Sequence, residues 1–560
     1  MFKKATLLII CFVISNSTFF AQGKQIIVDQ TQYQYPVLKM KEFNHILRLN
    51  IKKTDTLSKT VLKAIVINTK GTTNLKDIEN ISLYYHPSGA ELLNDRKILF
   101  ACTTKIDAQV KLEGSMELTS DNNYFWISYK LKDDANLLNQ IGGFCEKIIT
   151  NNGNVKAKPL LDVKKLRIGV ALREHGEENV DTYRIPALVT TNKGTLIAAF
   201  EARRNSARDL QGDNDIAISR STDGGETWGP TQIILDMGEW GGLPEKFNGF
   251  SDASLLVDEV NGTIFAPGIW MHGVIDKNGT WIENLTEESK DWNHQWKNKG
   301  SQPGFGVKET TQYMMAKSTD DGKTWSDPIN LTKMLKKKEW WLFSATPGNG
   351  ITLKDGTLVL PAQGRDKNGV PFSCIIYSKD RGTTWKTSNP AYNNTTECSV
   401  VQLEDGSLML NMRDNRNRKK TRTNGRAIAV TYDLGESWIM HSTSHSALIE
   451  PVCMASLYKH HYTLNGVQKS VLLFSNPNTK EGRYDLTIKA SFDNGKTWPK
   501  KYWLLLDEGY GRGYSSLTSI DENNIGILYE GSQADMTFQK ISFSSFLEKA
   551  IKNKTTNKNN

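Results

Sequence analysis

A pattern of eight residues, Ser/Thr-x-Asp-x-Gly-x-Thr/Ser-Trp, recurs five times in the last two thirds of the chain. Each copy predicts a hairpin turn, because the Asp and Ser/Thr oxygens accept hydrogen bonds from nearby backbone N–H groups and the Gly supplies a positive φ. The Trp is a large apolar side chain that packs one unit against the next. Such a repeat predicts radial repetition of one small β unit. The copies, here called Asp boxes, occupy residues 221–228, 318–325, 378–385, 431–438 and 491–498.

Strand-like runs alternate with the boxes. Four runs that open with Gly-Thr or Gly-Ser precede boxes, at residues 194–200, 262–266, 356–360 and 406–410. Together they give a rhythm of strand, strand, box and strand. Five boxed units and one degenerate unit predict a six-bladed β-propeller over residues 165–545.

The chain before the propeller lacks boxes. Its β-rich runs lie at residues 45–52, 61–67, 81–85 and 124–131. They predict a small β-sandwich of carbohydrate-binding type over residues 24–158. The polar, glycine-bearing residues 151–159 are interpreted as the linker. Helices are expected to be few, with one at residues 545–552, so the predicted fold class is all-β.

Length and composition indicate a soluble globular protein of two domains. The chain has 560 residues, 38% of them hydrophobic and 23% charged, and a net charge of +9. Part of that charge lies in the Lys/Asn-rich residues 549–560, which predict a disordered tail. Basic residues do not interleave with aromatic ones in a stripe, so a nucleic-acid partner is not expected. A mild positive excess suits an anionic substrate.

The N-terminus has the layout of a cleaved secretory signal peptide over residues 1–22. Lys3 and Lys4 precede an apolar run at residues 5–14, and the sequence Phe-Ala-Gln follows before a cleavage point near Ala21. The apolar run is too short to cross a bilayer, and no later segment is long enough, so no transmembrane segment is predicted. We expect an exported protein that is periplasmic, held at the cell surface or secreted.

Five cysteines remain after removal of the signal peptide: Cys102, Cys145, Cys374, Cys398 and Cys453. An odd and sparse set argues against a disulfide framework, and only Cys102 with Cys145 forms a pair worth testing. The nine histidines are scattered and lack metal-ligand spacing. Neither a metal nor another cofactor is expected.

One motif beside the boxes makes the pattern specific. Tyr183-Arg184-Ile185-Pro186, just before the first boxed unit, resembles the Tyr/Phe-Arg-Ile-Pro motif of exo-α-sialidases. With five Asp boxes behind it, the chain resembles the bacterial exo-α-sialidase (neuraminidase) family, including its N-terminal carbohydrate-binding-like sandwich. The resemblance covers residues 167–529. It implies a six-bladed propeller with a central site built from three arginines and three catalytic groups.

The arginines that match the family triad are Arg184, Arg413 and Arg483. Guanidinium groups bind carboxylates bidentately and stay charged at every working pH, which suits the carboxylate that sialic acid carries on its anomeric carbon. Arg203 matches a further arginine that supports this pocket, with Arg204 and Arg208 as competitors. Four arginines near the second triad member are interpreted as solvated loop residues, with Arg426 the hardest to exclude: Arg416, Arg418, Arg422 and Arg426.

The family's acid/base carboxylate matches Asp209, with Asp213 and Asp215 as nearby rivals. It would protonate the leaving glycosidic oxygen and then activate water. The nucleophile matches Tyr514 and its base matches Glu397. A neutral phenol avoids the repulsion that an attacking carboxylate would meet from the carboxylate of the substrate, but it needs a base because its ordinary pKa is near 10.

Two tyrosines, Tyr510 and Tyr529, compete with Tyr514 for the role of nucleophile. Asp252 resembles a pocket residue that contacts hydroxyl or amide groups of the sugar, and Gln312 is a second candidate. Further predictions concern the shape of the pocket. Trp270 and Met271 are expected to form its apolar wall or to be plain core, and residues 281–304 are expected to form a long loop over the site.

The predicted function is a retaining exo-α-sialidase that hydrolyses terminal α-linked sialic acids of glycoproteins, glycolipids and oligosaccharides through a Tyr nucleophile. Its partners would be sialylated glycoconjugates. A trans-sialidase or intramolecular trans-sialidase would use the same core residues, and only its products would differ. A glycan-binding propeller without activity is a third reading, which requires the loss of catalytic residues that are present at positions 209, 397 and 514.

Overall fold

The computed structural model describes residues 26–53, 59–87, 97–419 and 423–547. Within these ranges the protein is all-β, as predicted. The predicted signal peptide (1–22) and tail (549–560), together with Arg422, lie outside the described residues. Among the described helices, none has the length and apolar character needed to cross a lipid bilayer.

Two antiparallel sheets form the N-terminal part of the chain. Their apolar sides share one core that includes Leu49 and Phe125 from the first sheet and Ile65 and Ile148 from the second. The first sheet contains strands Ile26–Thr31, His45–Lys53, Asn122–Leu131, Ile78–His86 and Ile98–Thr103. The second contains strands Gly153–Lys156, Phe144–Thr150, Val61–Asn68 and Gln109–Glu117. The four strands predicted from β-rich runs in this part are therefore confirmed.

The predicted linker at residues 151–159 is wrong in its first half. Gly153–Lys156 is a strand that pairs with Phe144–Thr150 through a hairpin. The Gly and Asn residues that suggested a linker form the turn of this hairpin, where Gly153 has φ +116°.

Six further sheets follow in chain order and are called sheets 1 to 6. Sheet 1 contains strands Thr182–Thr190, Leu196–Arg203, Asn214–Ser221 and Gln232–Leu235. Sheet 2 contains Phe250–Ser251, Ser254–Val257, Ile264–Trp270, Gln312–Ser318, Ile329–Asn330 and Gly348–Asn349. Sheet 3 contains Leu342–Ala345, Ile351–Thr352, Leu358–Arg365, Pro371–Ser378, Lys386–Thr387 and Tyr392–Asn393.

Sheet 4 contains strands Thr395–Gln402, Leu408–Asp414, Ala427–Thr431 and Ile439–Met440. Sheet 5 contains Ser456–Leu464, Val467–Pro477, Leu486–Ser491 and Trp503–Asp507. Sheet 6 contains Ser515–Ser519, Asn524–Tyr529, Met536–Ser542, Leu166–Arg173, Val37–Lys39 and Gln140–Ile141. The central strands of each sheet are antiparallel neighbours along the chain, which is why the sequence shows a repeating rhythm.

Sheet 6 joins distant parts of the chain. Leu166–Arg173 pairs with the last strand, Met536–Ser542, and also with the two short N-terminal strands Val37–Lys39 and Gln140–Ile141. Strands of each sheet contact strands of the next sheet along the chain, and Ser515–Ser519 of sheet 6 contacts the first strand of sheet 1. Each sheet thus has a neighbour on both sides.

The five Asp boxes share one hydrogen-bond pattern, and each begins at the last residue of a strand, in sheets 1 to 5 respectively. In the third box, Ser378 Oγ donates to Asp380 Oδ1 (2.8 Å), and the Gly382 and Thr384 N–H groups donate to Ser378 Oγ and Asp380 Oδ1 (both 2.8 Å). The turn chemistry predicted from the sequence is confirmed. Gly382 has φ +82°, and its Cα faces the ring of Phe265 in sheet 2, so the box also packs against the preceding sheet.

Helices are short. The α-helix is Thr332–Leu335, and the 3-10 helices are Leu75–Asp77, Glu177–Asn179, Trp240–Gly242, Glu245–Phe247, Asn415–Lys419 and Lys500–Tyr502. Residues 544–547 are helical, which agrees with the start of the helix predicted at 545–552. The rest of that predicted helix lies outside the described residues. All five cysteines within the described ranges are free thiols, including Cys102 and Cys145.

Candidate active site

Tyr514, Glu397 and Arg413 form one hydrogen-bonded group. Glu397 and Arg413 lie on adjacent strands of sheet 4, and Tyr514 immediately precedes the first strand of sheet 6. The phenol donates to Glu397 Oε1, while Arg413 Nη1 donates to Glu397 Oε2 and, at 3.0 Å, to the phenolic oxygen. Tyr514 is 5% exposed and Glu397 8%. A carboxylate that accepts the phenolic proton is the arrangement that activates a phenol for attack.

The surroundings of Tyr514 keep its hydroxyl protonated. Burial raises the pKa of Tyr514 well above its ordinary value, and the charge of Glu397 adds to the rise, whereas Arg413 and Arg483 oppose it. A phenol in this state is a poor nucleophile at neutral pH. Nucleophilic attack by this phenol would therefore require transfer of its proton, for which Glu397 is the bonded acceptor.

Three arginines from separate sheets converge on Tyr514. Arg184 lies on the first strand of sheet 1, Arg413 on sheet 4, and Arg483 in the connection that follows Val467–Pro477 of sheet 5. The guanidinium carbons of Arg184 and Arg483 lie 5.3 and 5.4 Å from the centroid of the Tyr514 ring. Together with the contact from Arg413, this arrangement suits bidentate binding of an anion such as a carboxylate.

Glu530 ties Arg184 to Tyr514. Its carboxylate is buried and accepts from Arg184 Nε at 2.6 Å. The backbone N–H groups of Ile185 and Tyr514 also donate to it, at 3.0 and 2.9 Å. Burial opposes ionisation, but Arg184 outweighs it and holds the pKa of Glu530 below its ordinary value. One buried carboxylate thus fixes the side chain of Arg184 and the backbone at Ile185 and Tyr514.

The backbone beside Arg184 is strained. Ile185 has φ +59°, a conformation that β-branched residues rarely adopt. The strand register shifts between Arg184 and Ala187, as in a β-bulge, which redirects side chains at the end of a strand. Strain of this kind persists where surrounding contacts enforce it, here the bond from the Ile185 N–H to Glu530. The Arg-Ile-Pro motif therefore encodes a particular backbone shape as well as a charge.

Asp209 belongs to a second group, built on sheets 1 and 2. Its Oδ1 accepts from the Leu210 N–H at 2.8 Å and from Ser251 Oγ at 3.2 Å, and Arg203 lies 3.6 Å away. Arg203 is itself held by Glu201, with Nε to Oε2 at 2.7 Å. The side chain of Asp209 is 35% exposed, so it is accessible from the pocket.

The charge state of Asp209 follows from these contacts. Burial raises its pKa, but Arg203 and His294 outweigh burial and hold the pKa below the ordinary value. Asp209 is therefore a carboxylate in the free protein. Action as a general acid requires that it first take up a proton, which acidic conditions favour.

Asp252 connects the two groups. Its backbone N–H donates to Glu201 Oε1 at 2.7 Å, and its own Oδ2 accepts from Gln363 Nε2 at 3.0 Å. Burial raises the pKa of Asp252 well above its ordinary value, and the carboxylates of Glu397 and Glu201 raise it further. Arg184 of the Tyr514 group and Glu201, which binds Arg203 and Asp252, are register partners on adjacent strands of sheet 1, so the two groups lie side by side.

Gln312, Trp270 and Met271 do not join this site. Gln312 Nε2 donates to the Thr310 carbonyl at 2.7 Å, and its oxygen accepts from Asn330 at 2.9 Å, so both ends of the amide are bound within sheet 2 and its flanking loop. Hydrogen bonds among the described residues do not link Gln312 to either group. Trp270 and Met271 are buried core residues, which matches the second of the two readings of these side chains.

Three of the rivals of Asp209 and Arg203, namely Asp213, Asp215 and Arg204, lie in a separate cluster, whereas Arg208 is exposed and faces the ring of Trp292. Arg204 pairs with Asp215 at 2.6 Å and faces Asp213 at 3.8 Å. Carboxylate oxygens of Asp213, Asp215 and Glu245 lie within 4.8 Å of one another. Burial raises the pKa of Asp215 to about 7, and the charge of Arg204 opposes that rise. Because the guanidinium group of Arg204 occupies this acidic cluster, the cluster is a structural ion-pair network.

Two of the remaining arginine candidates have structural partners. Arg426, predicted to be solvated, is fully buried and pairs with Glu450 at 2.7 Å. That prediction is wrong, because the guanidinium group also donates to Asn411 Oδ1 and to the backbone carbonyl of Cys453, in the connection between sheets 4 and 5. Arg416 bonds to the Asn393 carbonyl at 2.8 Å, whereas Arg418 is exposed.

The two rival tyrosines lie apart from the Glu397 contact. Tyr529 is buried in sheet 6, where its hydroxyl bonds to Gln539 at 3.4 Å, and Tyr510 is exposed and packs edge-on against Tyr484. Glu397 bonds to the hydroxyl of Tyr514 instead.

Three functional side chains escaped sequence reasoning: Glu201, Glu530 and His294. Glu201 lies inside a largely apolar strand, in Ala-Phe-Glu-Ala, and Glu530 directly follows one, in Leu-Tyr-Glu; a charge beside such apolar residues was the available signal. His294 lies in the predicted loop 281–304, which has no strand of its own apart from a bridge at Trp281. Its Nε2 lies 3.4 Å from Asp209 Oδ2, so this loop does reach the site.

Family comparisons agree with this geometry. Residues 25–154 match the N-terminal domain of BNR-repeat neuraminidase, and residues 185–519 match the BNR repeat-like domain. The chain is 40% identical to a sialidase of Bacteroides fragilis, over 98% of this chain and 100% of that one. It is 32% identical to a sialidase of Micromonospora viridifaciens, over 64% of this chain and 51% of that one.

Solved structures point the same way. The Hadza microbial sialidase Hz136 aligns with a TM-score of 0.83 and 38% identity, over 92% of this chain and 100% of that chain. Repeats, arginine-lined site and relatives together place the chain in the BNR-repeat neuraminidase family, as an exo-α-sialidase of the glycoside hydrolases.

Proposed function

We propose that the enzyme is a retaining exo-α-sialidase that uses Tyr514 as nucleophile, Glu397 as its base and Asp209 as acid/base. The observation that carries this proposal is the hydrogen bond from the Tyr514 phenol to Glu397, beside three arginines. Its substrates are terminal α-linked sialic acids of glycoproteins, glycolipids and oligosaccharides.

Substrate orientation comes from charge. Arg184, Arg413 and Arg483 bind the carboxylate on C2 of the sialic acid, which brings C2 next to the phenolic oxygen of Tyr514. Glu530 holds Arg184 in place, and Glu397 holds Arg413. Asp252, between the two groups, contacts polar groups of the sugar ring.

The first half of the reaction forms a bond from the phenolic oxygen to C2 and breaks the bond from C2 to the glycosidic oxygen. The phenolic proton passes to Glu397, and the proton on Asp209 passes to the departing oxygen. A neutral phenol avoids the repulsion that a carboxylate nucleophile would meet from the carboxylate of the substrate.

The second half reverses these transfers. Water attacks C2, the Asp209 carboxylate takes a proton from it, and Tyr514 departs while recovering its proton from Glu397. Two displacements at the same carbon leave the anomeric configuration unchanged. The exposed side chain of Asp209 gives both the leaving group and water access to the same carboxylate.

The architecture that we propose follows from the neighbour relations of the sheets. Sheets 1 to 6 contact one another in sequence, with sheet 6 against sheet 1, which supports a six-bladed propeller over residues 165–545. The two N-terminal sheets form a β-sandwich domain over residues 24–158. We further propose that residues 1–22 direct export to the periplasm, the cell surface or the medium.

Product analysis tests the function. Purified protein is incubated with sialyllactose isomers, and the first-formed products are followed by proton NMR. We expect free N-acetylneuraminate that appears first as its α-anomer. A transferred sialoside would identify a trans-sialidase, an anhydro product an intramolecular trans-sialidase, and a first-formed β-anomer would refute retention.

A further inference from the structure

We propose that His294 is a positioning residue for the reaction: its Nε2–H orients Oδ2 of Asp209, the oxygen that exchanges a proton with the leaving group and with water. This inference rests on the proposed acid/base role of Asp209. It starts from one contact, since His294 Nε2 lies 3.4 Å from Asp209 Oδ2. His294 comes from the long loop of sheet 2, whereas Asp209 follows the second strand of sheet 1.

The two oxygens of Asp209 have different environments. Oδ1 receives the Leu210 N–H at 2.8 Å and lies 3.6 Å from Arg203. It also lies 3.2 Å from Ser251 Oγ, whose single hydrogen is shared with Glu201 Oε1 at 2.7 Å. Oδ2 receives His294, the one polar side chain that faces it among the described residues. Because Oδ1 is committed to the fold, Oδ2 is the oxygen left to carry the catalytic proton, and His294 fixes its direction.

The loop also fixes which nitrogen of His294 carries hydrogen. The Trp296 N–H donates to His294 Nδ1 at 3.2 Å. In the amide orientation that satisfies its neighbours, Gln295 donates to the same Nδ1 at 3.0 Å and to the Leu210 carbonyl at 2.6 Å. A ring nitrogen that accepts two hydrogen bonds carries no hydrogen, so in neutral His294 the hydrogen lies on Nε2, the nitrogen that is 3.4 Å from Asp209 Oδ2.

Loop contacts flank Asp209 on both sides along the chain. Before it, the guanidinium carbon of Arg208 lies 5.3 Å from the ring centroid of Trp292. After it, Gln295 bonds to the Leu210 carbonyl. The loop thus contacts the side chain of Arg208 and the backbone of Leu210, on either side of Asp209, and the contact of His294 with Asp209 Oδ2 belongs to the same set.

The contribution of His294 to the pKa and orientation of Asp209 depends on the other charged groups around that carboxyl. Arg203 faces Oδ1, and the carboxylates of Glu201 and Asp252 lie nearby. A donor on Oδ2 stabilises the carboxylate relative to the acid. Removal of His294 therefore raises the pKa of Asp209 and frees Oδ2 to rotate. The raised pKa moves the alkaline limb of the pH profile to higher pH. The free rotation of Oδ2 slows proton transfer to a poor leaving group.

Two variants separate these effects from loss of structure. His294→Ala removes both the donor that faces Asp209 and the acceptor for the Trp296 N–H. His294→Gln retains an amide N–H for Asp209 and an oxygen that can accept from the Trp296 N–H. Asp291→Asn changes the charge of an exposed residue in the same loop and serves as the control. Each full-length protein is assayed for kcat/KM against pH with sialyllactose, whose leaving group needs protonation, and with 4-methylumbelliferyl sialoside, whose leaving group does not.

We expect His294→Ala to lower kcat/KM on sialyllactose about 10- to 100-fold, the cost of a misplaced catalytic group. On the 4-methylumbelliferyl substrate the loss should stay within about threefold, since protonation contributes little there. In His294→Ala, the alkaline limb of the sialyllactose pH profile should move to higher pH. The kcat/KM values and pH profiles of His294→Gln and Asp291→Asn should remain close to those of the parent enzyme.

Three results would overturn the proposal: unchanged sialyllactose turnover in His294→Ala, equal losses on both substrates without a shift of the limb, or a His294→Gln variant as impaired as His294→Ala. Asp209→Asn, measured in parallel, tests the underlying role separately. If Asp209→Asn lowers kcat/KM equally on both substrates, Asp209 is not the general acid, whatever the results for the His294 variants.

Discussion

The hydroxyl of Tyr514 donates a hydrogen bond to Glu397, a residue 117 positions earlier in the chain. The two residues lie on different sheets, and Arg413 bonds to both of them. This contact combines a protonated phenol, a carboxylate and a cation within one group, and the proposed mechanism depends on it.

Replacement of Tyr514 by Phe removes the nucleophilic oxygen and leaves the arginines in place. We expect kcat on 4-methylumbelliferyl sialoside to fall about 1,000-fold or more, as losses of catalytic nucleophiles do. Affinity for sialic acid, measured by calorimetry, should change little. Tyr529→Phe, which removes a buried hydroxyl from sheet 6, is the control and should retain turnover. Near-normal activity of Tyr514→Phe would show that the nucleophile is misassigned.

The charge of Asp209 predicts a pH dependence. Because its pKa lies below the ordinary value, the protonated form that donates to the leaving group declines as pH rises from the acidic range. We therefore expect kcat/KM on sialyllactose to be highest at acidic pH and to fall on the alkaline side more steeply than kcat/KM on 4-methylumbelliferyl sialoside. A sialyllactose maximum above pH 7, or parallel profiles for both substrates, would contradict the acid role.

Loss of Glu530 should affect stability and binding together. Glu530→Ala leaves Arg184 buried without its partner, and breaking a buried ion pair in this way costs about 3–5 kcal/mol of unfolding free energy. The same change should raise KM, because Arg184 is no longer held. Glu283→Ala removes an exposed pair with Lys308 and should cost about 0–1 kcal/mol in urea unfolding. Equal free energies of unfolding for the two variants would show that the bond between Glu530 and Arg184 does not stabilise the fold.

The Asp-box tryptophans should differ in their contribution to stability. Trp385 is 2% exposed and packs against Phe265 of the preceding sheet, with ring centroids 5.8 Å apart. Trp385→Ala should therefore destabilise the protein by about 3–5 kcal/mol. Trp325 occupies the corresponding position of the second box and is only partly buried, so Trp325→Ala should lower the free energy of unfolding by less. Chemical denaturation of both variants checks this order, and a reversed order would contradict it.

Local patterns predicted the repeating units well. The Asp boxes have the predicted turn geometry because their hydrogen bonds form within eight residues, and strands of the N-terminal part appeared where β-rich runs occur. Sheet 6 could not be predicted in the same way, because its strands come from both ends of the chain. The strand at Gly153–Lys156 was missed since its turn residues resemble those of a linker.

Site residues that lie within recognisable motifs could likewise be predicted, whereas those placed by the path of a loop could not. Those within motifs, Arg184, Glu397 and Tyr514, lie together as the resemblance implies. Gln312, the second candidate beside Asp252 for contact with the sugar, lies in no such motif, and both ends of its amide are bound within the fold. The contact of His294 with Asp209 depends on how a loop without periodicity folds back over sheet 1, and no local pattern encodes that path.

Chemical trapping of the glycosyl-enzyme tests the central claim most directly. A sialosyl fluoride with a second fluorine at C3 forms the covalent intermediate through its good leaving group and hydrolyses slowly, since the fluorine disfavours the oxocarbenium-like transition state. Peptide mapping by mass spectrometry then locates the sugar. We predict one adduct, on the peptide that contains Tyr514 and on the phenolic oxygen itself. An adduct on Glu397, Asp209 or any other residue would contradict the assignment of Tyr514.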